Sequence, residues 1–477
     1  MRSRVGLVLG VVVCAAILAA PPPASMEAPA WRTAAVAVLM ATWWITEAVP
    51  LAVTALLPLV LLPVFGVMAI EPAAAPYANP VIFLFLGGFT LAAALQRSGL
   101  HLRMAINIIR VGGVQPRRLV GAFMAATAFL SMWVSNTATV AMMLPLALSV
   151  IGLVDSKGGR DETAESNFSV ALLLGLAYAA SIGGMGTLIG TPPNALLAGF
   201  MSETYGVQIG FAEWMLVGVP LVIVALPVTW LLLTVVLHRV DTEPIAGGRE
   251  VFRDQLRALG PPSRAEWTVG LVTGLTAAAW VFRPLLAGIA PALSDAGIAI
   301  GGAVLLFLIP TDWGRHEHAL DWSDVEGLPW GVLVLFGGGL SLAQAIQDTG
   351  LANWIGVSLT AITVLSILPI IIVVTTVVVF LTELTSNTAT AATLLPVVAS
   401  LAAATGVDPL LLAVPTALGA SCAFMMPVAT PPNAIVYGSR RVAMSHMVRA
   451  GLVLNLVFIV LITATTLLLA PRVLAVP

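Results

Sequence analysis

Two copies of one polar motif lie inside apolar sequence, at Ser135 to Thr139 and at Ser386 to Thr390. The copies read SNTATVAMMLP and SNTATAATLLP, and a constant offset of 251 residues separates them. A helix broken at Ser-Asn-Thr presents free backbone N–H groups and a positive dipole end beside Asn amides and Thr hydroxyls. That arrangement suits an anion, while freed carbonyls with Ser and Asn oxygens suit a small cation such as Na⁺. The motif therefore predicts neighbouring anion and cation sites.

A second pair of motifs, GTPPNA at 190–195 and ATPPNA at 429–434, belongs with the first pair. Two consecutive prolines remove two N–H donors and break a helix, which frees the carbonyls of Gly190 and Ala429 to face a cavity. One proline-broken helix is usually a simple kink, but four motifs in register across a duplication favour a binding site. No buried basic residue is predicted near them, so neutral donors, helix dipoles and bound cations would hold the anion.

The composition around these motifs is typical of an integral membrane protein. Of the 477 residues, 59% are hydrophobic and only 9% are charged, whereas a soluble domain has about 25% charged residues. Apolar segments long enough to cross a bilayer recur along the whole chain. The net charge of -2 and the lack of a basic cluster with interleaved aromatics exclude nucleic acid as a partner. The predicted partners are the lipid bilayer and a small anionic substrate.

Eleven segments are predicted to span the membrane. They cover residues 5–21, 32–49, 51–68, 79–96, 170–190, 214–237, 266–285, 295–310, 329–347, 408–427 and 449–470. Two further apolar regions, 118–153 and 361–402, hold the Ser-Asn-Thr motifs, and each is either two crossings or one re-entrant hairpin. Hairpins are favoured because a broken polar tip would be expensive facing lipid. The predicted fold class is an all-α membrane protein with eleven transmembrane helices and two re-entrant hairpins.

The basic residues predict the orientation. With a cytoplasmic N-terminus and two hairpins, 18 of the 21 Lys and Arg residues fall on the cytoplasmic side, as the positive-inside rule requires. The C-terminus then lies outside. Two crossings per motif region instead of one hairpin would leave all other loops on the same side of the membrane. The charge distribution therefore does not distinguish hairpins from paired crossings. Residues 5–20 after Arg2 and Arg4 are also typical of a cleavable secretory signal, but we interpret them as a retained helix.

The duplication extends beyond the motifs. At the same offset of 251, Gly87-Gly88 corresponds to Gly338-Gly339, while the TPPN motifs correspond at an offset of 239. The difference is a polar insertion, DSKGGRDETAES, which is predicted to be a cytoplasmic loop. Each half contains five spans and one hairpin, and an odd number of spans inverts the second half. We therefore predict a helix and external linker at 1–30 followed by two inverted repeats, 31–245 and 246–477.

Acidic residues in apolar sequence are candidates for function by default. Glu383, four residues before Asn387, is such a candidate, although structural pairing is favoured. Glu47 and the preceding Trp43-Trp44 pair are interpreted as interface anchoring or packing. An intramembrane enzyme would need paired acids, a His-metal cluster or a nucleophile with its base. The sequence offers no such set, so we predict no enzyme, and inverted broken hairpins favour alternating access over an ion channel.

The remaining reactive residues receive structural interpretations. Cys14 and Cys422 form no metal-ligand spacing and are interpreted as small core residues. Residues 100–111 are predicted to form a helix along the inner membrane interface. The histidines fall in predicted cytoplasmic segments and are interpreted as solvated surface: His101, His238, His316, His318 and His446.

With these residues assembled, the chain resembles the divalent anion/sodium symporter family of dicarboxylate, citrate and sulfate transporters. The resemblance rests on WWITEAVPLAVTALLP at 43–58 and on the four motifs, and it covers nearly the full length. It implies a multi-pass cell-membrane protein that forms a homodimer. It also implies a scaffold domain and a transport domain, interleaved across both repeats, with an elevator-like movement of the latter.

The resemblance further implies roles for individual residues. One sodium position corresponds to Ser131, Ser135, Asn136 and the backbone of Gly190. The other corresponds to Thr382, Ser386, Asn387 and the backbone of Ala429. The substrate contacts correspond to Asn136, Thr137, Asn387, Thr388, Thr191 and Thr430. The implied function is sodium-coupled uptake of C4-dicarboxylates such as succinate, malate or fumarate, with no organic cofactor; a sulfate or citrate symporter and a sodium-independent dicarboxylate exchanger are alternatives.

Overall fold

The computed structural model describes residues 2–23, 25–157, 166–245, 248–286, 288–312, 317–358 and 366–474. Some predicted features lie outside the described residues. These are residues 158–165 of the polar insertion, residues 361–365 of the second motif region, and Arg160, Arg315 and His316.

The described part of the first half is helical. Its helices are α1 (Arg2–Ala19), α2 (Ala28–Thr46), α3 (Leu51–Thr54), α4 (Leu57–Val64), α5 (Ile70–Ala74), α6 (Pro80–Ser98), α7 (Leu100–Val111), α8 (Pro116–Ser131), α9 (Asn136–Lys157), α10 (Asn167–Gly184), α11 (Pro192–Tyr205) and α12 (Phe211–Leu231). A 3₁₀ helix, Ala75–Ala78, lies between α5 and α6, and a π-helix, Leu232–Leu237, extends α12.

The second half adds twelve helices and a short β-ribbon. The helices are α13 (Gly248–Leu259), α14 (Arg264–Leu286), α15 (Asp295–Leu308), α16 (Trp322–Glu326), α17 (Trp330–Asp348), α18 (Leu351–Ser358), α19 (Ile367–Thr382), α20 (Asn387–Thr405), α21 (Leu410–Ala420), α22 (Pro431–Gly438), α23 (Met444–Leu468) and α24 (Ala470–Val473). The strands β1 (Pro310–Asp312) and β2 (Glu317–His318) pair antiparallel, with Pro310 opposite His318.

Eight helices in the described part of the chain are long and apolar enough to cross a membrane. They are Ile70–Ser98, Asn136–Val154, Asn167–Gly184, Phe211–Leu237, Arg264–Leu286, Trp330–Asp348, Asn387–Thr405 and Met444–Val473. Shorter apolar helices include Ser3–Ala19, Asp295–Leu308 and Ile367–Thr382. A multi-pass helical membrane protein is thus confirmed, while the count of eleven spans stays a prediction.

The predicted spans at 170–190 and 408–427 end too late. Helix α10 ends at Gly184 and α21 at Ala420, and the new helices α11 and α22 begin at the two Pro-Pro pairs. The residue before each pair, Thr191 or Thr430, is extended with φ of -147° or -141°, because a residue before proline avoids helical backbone. Proline then suits the first helical turn, where no N–H is needed. The breaks were predicted, but the helices that follow them were not.

The order of elements repeats around the motifs. Helices α8, α9, α10 and α11 in the first half have the same sequence of breaks as α19, α20, α21 and α22 in the second. Helix α8 packs on α10, as α19 packs on α21. In the first copy the approach requires glycine, since a Cβ at Gly183 would lie 2.2 Å from the carbonyl oxygen of Ala128. We call the breaks between α8 and α9 (residues 132–135) and between α19 and α20 (residues 383–386) the hairpin tips, and the segments before the Pro-Pro pairs (residues 185–191 and 421–430) the TPPN loops. This packing holds each hairpin tip beside its own TPPN loop.

The interpretation of the histidines as solvated surface is wrong for His238. This side chain is buried, and its ring centroid lies 5.1 Å from that of His446. Burial, together with the charges of His446 and Arg449, lowers the pKa of His238 to about 4. The two cysteines, Cys14 and Cys422, are buried and free, as the core interpretation requires.

Candidate functional site

The four motifs line one cavity of about 1300 Å³. The residues predicted to contact substrate all lie on its wall: Asn136, Thr137, Thr191, Asn387, Thr388 and Thr430. Helices α9, α11, α20 and α22 begin at this cavity, so four positive dipole ends meet there. Among the described residues that line it there is no lysine or arginine. The cavity therefore offers an anion neutral donors and helix ends.

The first hairpin tip gathers oxygens around Gly184. Ser131 is fully buried, and its hydroxyl donates to Oδ1 of Asn136 at 2.5 Å. A Cβ added at Gly184 would lie 2.8 Å from Asn136 Oδ1 and 3.0 Å from the carbonyl oxygen of Gly190. Amide and carbonyl oxygens thus converge on space that the glycine leaves open. Ser135 lies on the cavity wall, where its hydroxyl accepts from the Ala138 N–H at 3.3 Å.

The second hairpin tip repeats this contact with threonine. Oγ1 of Thr382 lies 2.9 Å from Oδ1 of Asn387 and 2.8 Å from the carbonyl oxygen of Ala420. A hydroxyl has one proton, so it can donate to only one of these acceptors. Ser386 and Ala429 line the same cavity. Both tips present clusters of neutral oxygen atoms, the ligand type that fits sodium.

The Asn of each TPPN motif holds the open backbone of its own loop. Nδ2 of Asn194 lies 2.8 Å from the carbonyl oxygen of Thr187 and 3.2 Å from that of Gly184. In the second copy, Nδ2 of Asn433 lies 3.0 Å from the Ala423 carbonyl and 3.1 Å from that of Met426. Sequence reasoning missed both positioning roles, although the occurrence of Asn in both copies was the signal.

Replacing Asn194 with alanine should loosen the loop that carries Gly190. The change leaves buried carbonyls without donors, at roughly 1–3 kcal/mol for the lost partner. We expect a lower melting temperature of the detergent-solubilised protein and weaker sodium binding. Asn107→Ala is the matched control, since Asn107 is exposed on α7. An unchanged melting temperature in Asn194→Ala would contradict the positioning role.

Each hairpin tip is also tied to its TPPN loop, by different groups in the two copies. In the first copy the Thr187 hydroxyl donates to the Met132 carbonyl at 2.6 Å and accepts from the Gly190 N–H at 3.0 Å. In the second copy the Glu383 carboxylate accepts from backbone N–H groups of residues 424–426. The favoured interpretation of Glu383, structural pairing, agrees with these contacts.

The rest of the cavity lining comes from segments outside the four motifs. It includes Phe89 and Gln96 of α6, residues 47–50 between α2 and α3, and Leu328 before α17. Trp44 is fully buried, and its Nε1 donates to the Leu51 carbonyl at 3.2 Å, which fits the packing interpretation. Glu47, in contrast, ends α2 with a left-handed φ of 50° and lines the cavity. The sequence marked Glu47 as an acidic residue in apolar sequence, but the favoured interpretation, interface anchoring or packing, did not predict a place on the cavity wall.

A multi-pass helical protein with paired helix breaks around one cavity has the architecture of a secondary transporter. A profile of the family described as "Sodium:sulfate symporter transmembrane region" matches residues 2–474. The chain belongs to this family, which confirms the resemblance of its motifs.

Named relatives support the same assignment. A protein of Staphylococcus saprophyticus subsp. saprophyticus, named sodium-dependent dicarboxylate transporter SdcS, is 44% identical over 99% of this chain and 92% of its own length. A protein of the same name in Staphylococcus aureus is 42% identical with the same coverage. The YdaH transporter of Alcanivorax borkumensis is similar in fold, with a TM-score of 0.56 at 16% identity over 100% of this chain and 98% of that one.

Proposed function

We propose that this protein takes up C4-dicarboxylates such as succinate, malate and fumarate together with sodium ions. The observation that carries the proposal is the single cavity lined by both Ser-Asn-Thr and both TPPN motifs. The relatives named sodium-dependent dicarboxylate transporters support sodium and a dicarboxylate as its two ligands.

In this proposal the two oxygen clusters hold sodium, and the donors between them hold the anion. The first position uses Ser131, Ser135, Asn136 and the Gly190 carbonyl. The second position uses Thr382, Ser386, Asn387 and the Ala429 carbonyl. The anion is held by Asn136, Thr137, Thr191, Asn387, Thr388 and Thr430. Bound sodium supplies the positive charge that the described lining lacks, so each ligand favours the other reciprocally.

The proposed movement is of the elevator type. The cavity lining combines the four motifs with segments of other elements, which include Phe89, Gln96 and Val332. Movement of the motif-bearing elements against these segments would carry the bound ligands across the membrane. The scaffold and transport domains of this movement would interleave across the repeats 31–245 and 246–477, and the protein would work as a homodimer.

The proposed topology keeps eleven transmembrane helices and two re-entrant hairpins. Re-entrant hairpins fit the broken polar segments between α8 and α9 and between α19 and α20, because such breaks would be unfavourable facing lipid. The N-terminus lies in the cytoplasm and the C-terminus outside the cell. The cavity reaches Glu47 and Asp324, which this topology places on the cytoplasmic side, so we infer that the cavity opens inward.

Sulfate is the second candidate substrate. The family description pairs sodium with sulfate, and a site of neutral donors distinguishes poorly among dianions. Citrate symport and sodium-independent dicarboxylate exchange are further candidate activities within the family.

Uptake of labelled succinate into proteoliposomes tests the proposal. We expect an inward Na⁺ gradient to drive accumulation and excess malate or fumarate to compete with succinate, while competition by excess sulfate or citrate tests the alternative substrates. Uptake that needs internal dicarboxylate and ignores Na⁺ would instead identify an exchanger. No uptake in either condition would contradict dicarboxylate transport, and flux that does not saturate would indicate a channel.

A further inference from the structure

The two hairpin tips differ by one charge. Met132 and Glu383 occupy equivalent positions, since the offset of 251 that relates the Ser-Asn-Thr motifs also relates these residues. Glu383 is 3% exposed. In the described part of the chain only one more glutamate or aspartate is buried, Glu266, and it pairs with Arg103 at 2.6 Å. Glu383 has no such basic partner among the described residues.

Neutral donors alone surround the Glu383 carboxylate. Oε1 accepts from the N–H groups of Phe424 and Met425 at 2.7 and 2.8 Å, and from Nδ2 of Asn455 at 2.8 Å. Oε2 accepts from the N–H of Met426 at 3.0 Å. Consecutive backbone N–H groups of this kind favour a negative charge. The carboxylate therefore fastens the loop before Ala429, and its four donors favour the charged form.

The first copy makes the equivalent link without a charge. There the Thr187 hydroxyl joins the TPPN loop to the carbonyl of Met132. A mechanical link between tip and loop thus needs no acid. A buried carboxylate without a cation nearby is expensive, so the acid in the second copy requires a further explanation.

The position of Glu383 supplies that explanation. It directly follows Thr382, whose Oγ1 lies within 2.9 Å of two more oxygen atoms, Asn387 Oδ1 and the Ala420 carbonyl. We propose that Glu383 is the counter-charge of the second sodium position, which consequently binds sodium more tightly, and before the first position. This inference rests on the proposed function. Glu383 acts as a positioning residue, because its oxygens bond the loop and its charge acts through space.

Sodium binding measured without transport tests the inference. The probe is Na⁺ alone, titrated against the melting temperature of the purified full-length protein in detergent, with choline keeping the ionic strength constant. Glu383→Gln preserves the shape and removes the charge. We expect it to raise the Na⁺ concentration for half-maximal stabilisation at least about tenfold, since an adjacent charge acts strongly in a buried site.

Three comparison variants separate charge from mechanical support. Asn455→Leu removes one donor but keeps the charge, so we expect near-native sodium affinity. Ser131→Ala changes the first sodium position, so we expect it to weaken only the lower-affinity phase of the sodium titration. Glu383→Asp should restore affinity to within about threefold of the native value, and it replaces Glu383→Gln if that variant does not fold. Each of three results would overturn the inference. The first is native sodium affinity in Glu383→Gln, and the second is a tenfold loss of sodium affinity in Glu383→Asp. The third is an equal loss of sodium affinity in Asn455→Leu and Glu383→Gln. If the native protein did not respond to Na⁺ at all, the proposed sodium coupling would fail as well.

Discussion

Replacing Asn136 or Asn387 with alanine is expected to weaken the binding of both ligands, sodium and dicarboxylate, by at least about tenfold each. In each hairpin tip the Asn Oδ1 lies against a buried hydroxyl, Ser131 or Thr382, within the predicted sodium cluster. Each Asn also begins a helix at the cavity wall, where its amide can reach the anion. The loss should appear in sodium titrations of melting temperature and in the half-saturating succinate concentration for uptake.

Asn107→Ala provides the control for these two variants. Asn107 is exposed on α7 and bonds only the Arg103 carbonyl one turn earlier among the described contacts. We expect its sodium titration and its uptake to match those of the native protein. A weakened succinate affinity with unchanged sodium dependence, in both Asn136→Ala and Asn387→Ala, would refute a shared role for these residues.

Gly184→Ala is expected to remove most of the sodium binding at the first position. The added Cβ would occupy the space between Asn136 Oδ1 and the Gly190 carbonyl, at 2.8 and 3.0 Å from the two oxygens. Carbon at that point displaces one of the oxygens and excludes a cation from between them. We expect sodium-driven uptake to fall at least about tenfold, measured in proteoliposomes against the amount of reconstituted protein.

Gly274→Ala is the matched control for the glycine. It also lies in a helix, α14, and a Cβ there meets no atom within 4 Å. Normal sodium affinity in Gly184→Ala would show that the first cation does not bind between Asn136 and Gly190.

The sequence predicted the helix breaks better than the helix ends. Prolines at 192–193 and 431–432 indicate where helical hydrogen bonding stops, and the chain is broken at both places. The predicted spans nevertheless ran on to residues 190 and 427, whereas α10 and α21 stop at Gly184 and Ala420. That difference depends on Asn194 and Asn433, whose amides satisfy the unwound carbonyls. Such contacts form only when the chain folds back on itself, so hydrophobic periodicity does not reveal them.

The candidate site was likewise predicted only in part from the sequence. Its motif wall follows from the duplication, because symmetry-related segments are expected to meet at the repeat interface. The rest of the lining, such as Glu47 and Phe89, lies outside the duplicated Ser-Asn-Thr and TPPN motifs, so the duplication did not predict it. The partner of Glu383, Asn455, lies 72 residues further along the chain. The amino-acid sequence alone could suggest that Glu383 is paired, but it could not identify Asn455 as a partner.

Equilibrium binding of labelled succinate to the purified protein, measured across a series of Na⁺ concentrations, tests the central claim most directly. If the four motifs form one site for anion and cations, succinate affinity should rise steeply with Na⁺. Saturating succinate should then lower the half-saturating Na⁺ concentration by a corresponding factor, because the coupling is reciprocal. A succinate affinity that stays constant from zero to saturating Na⁺ would contradict the claim that the two ligands share this cavity.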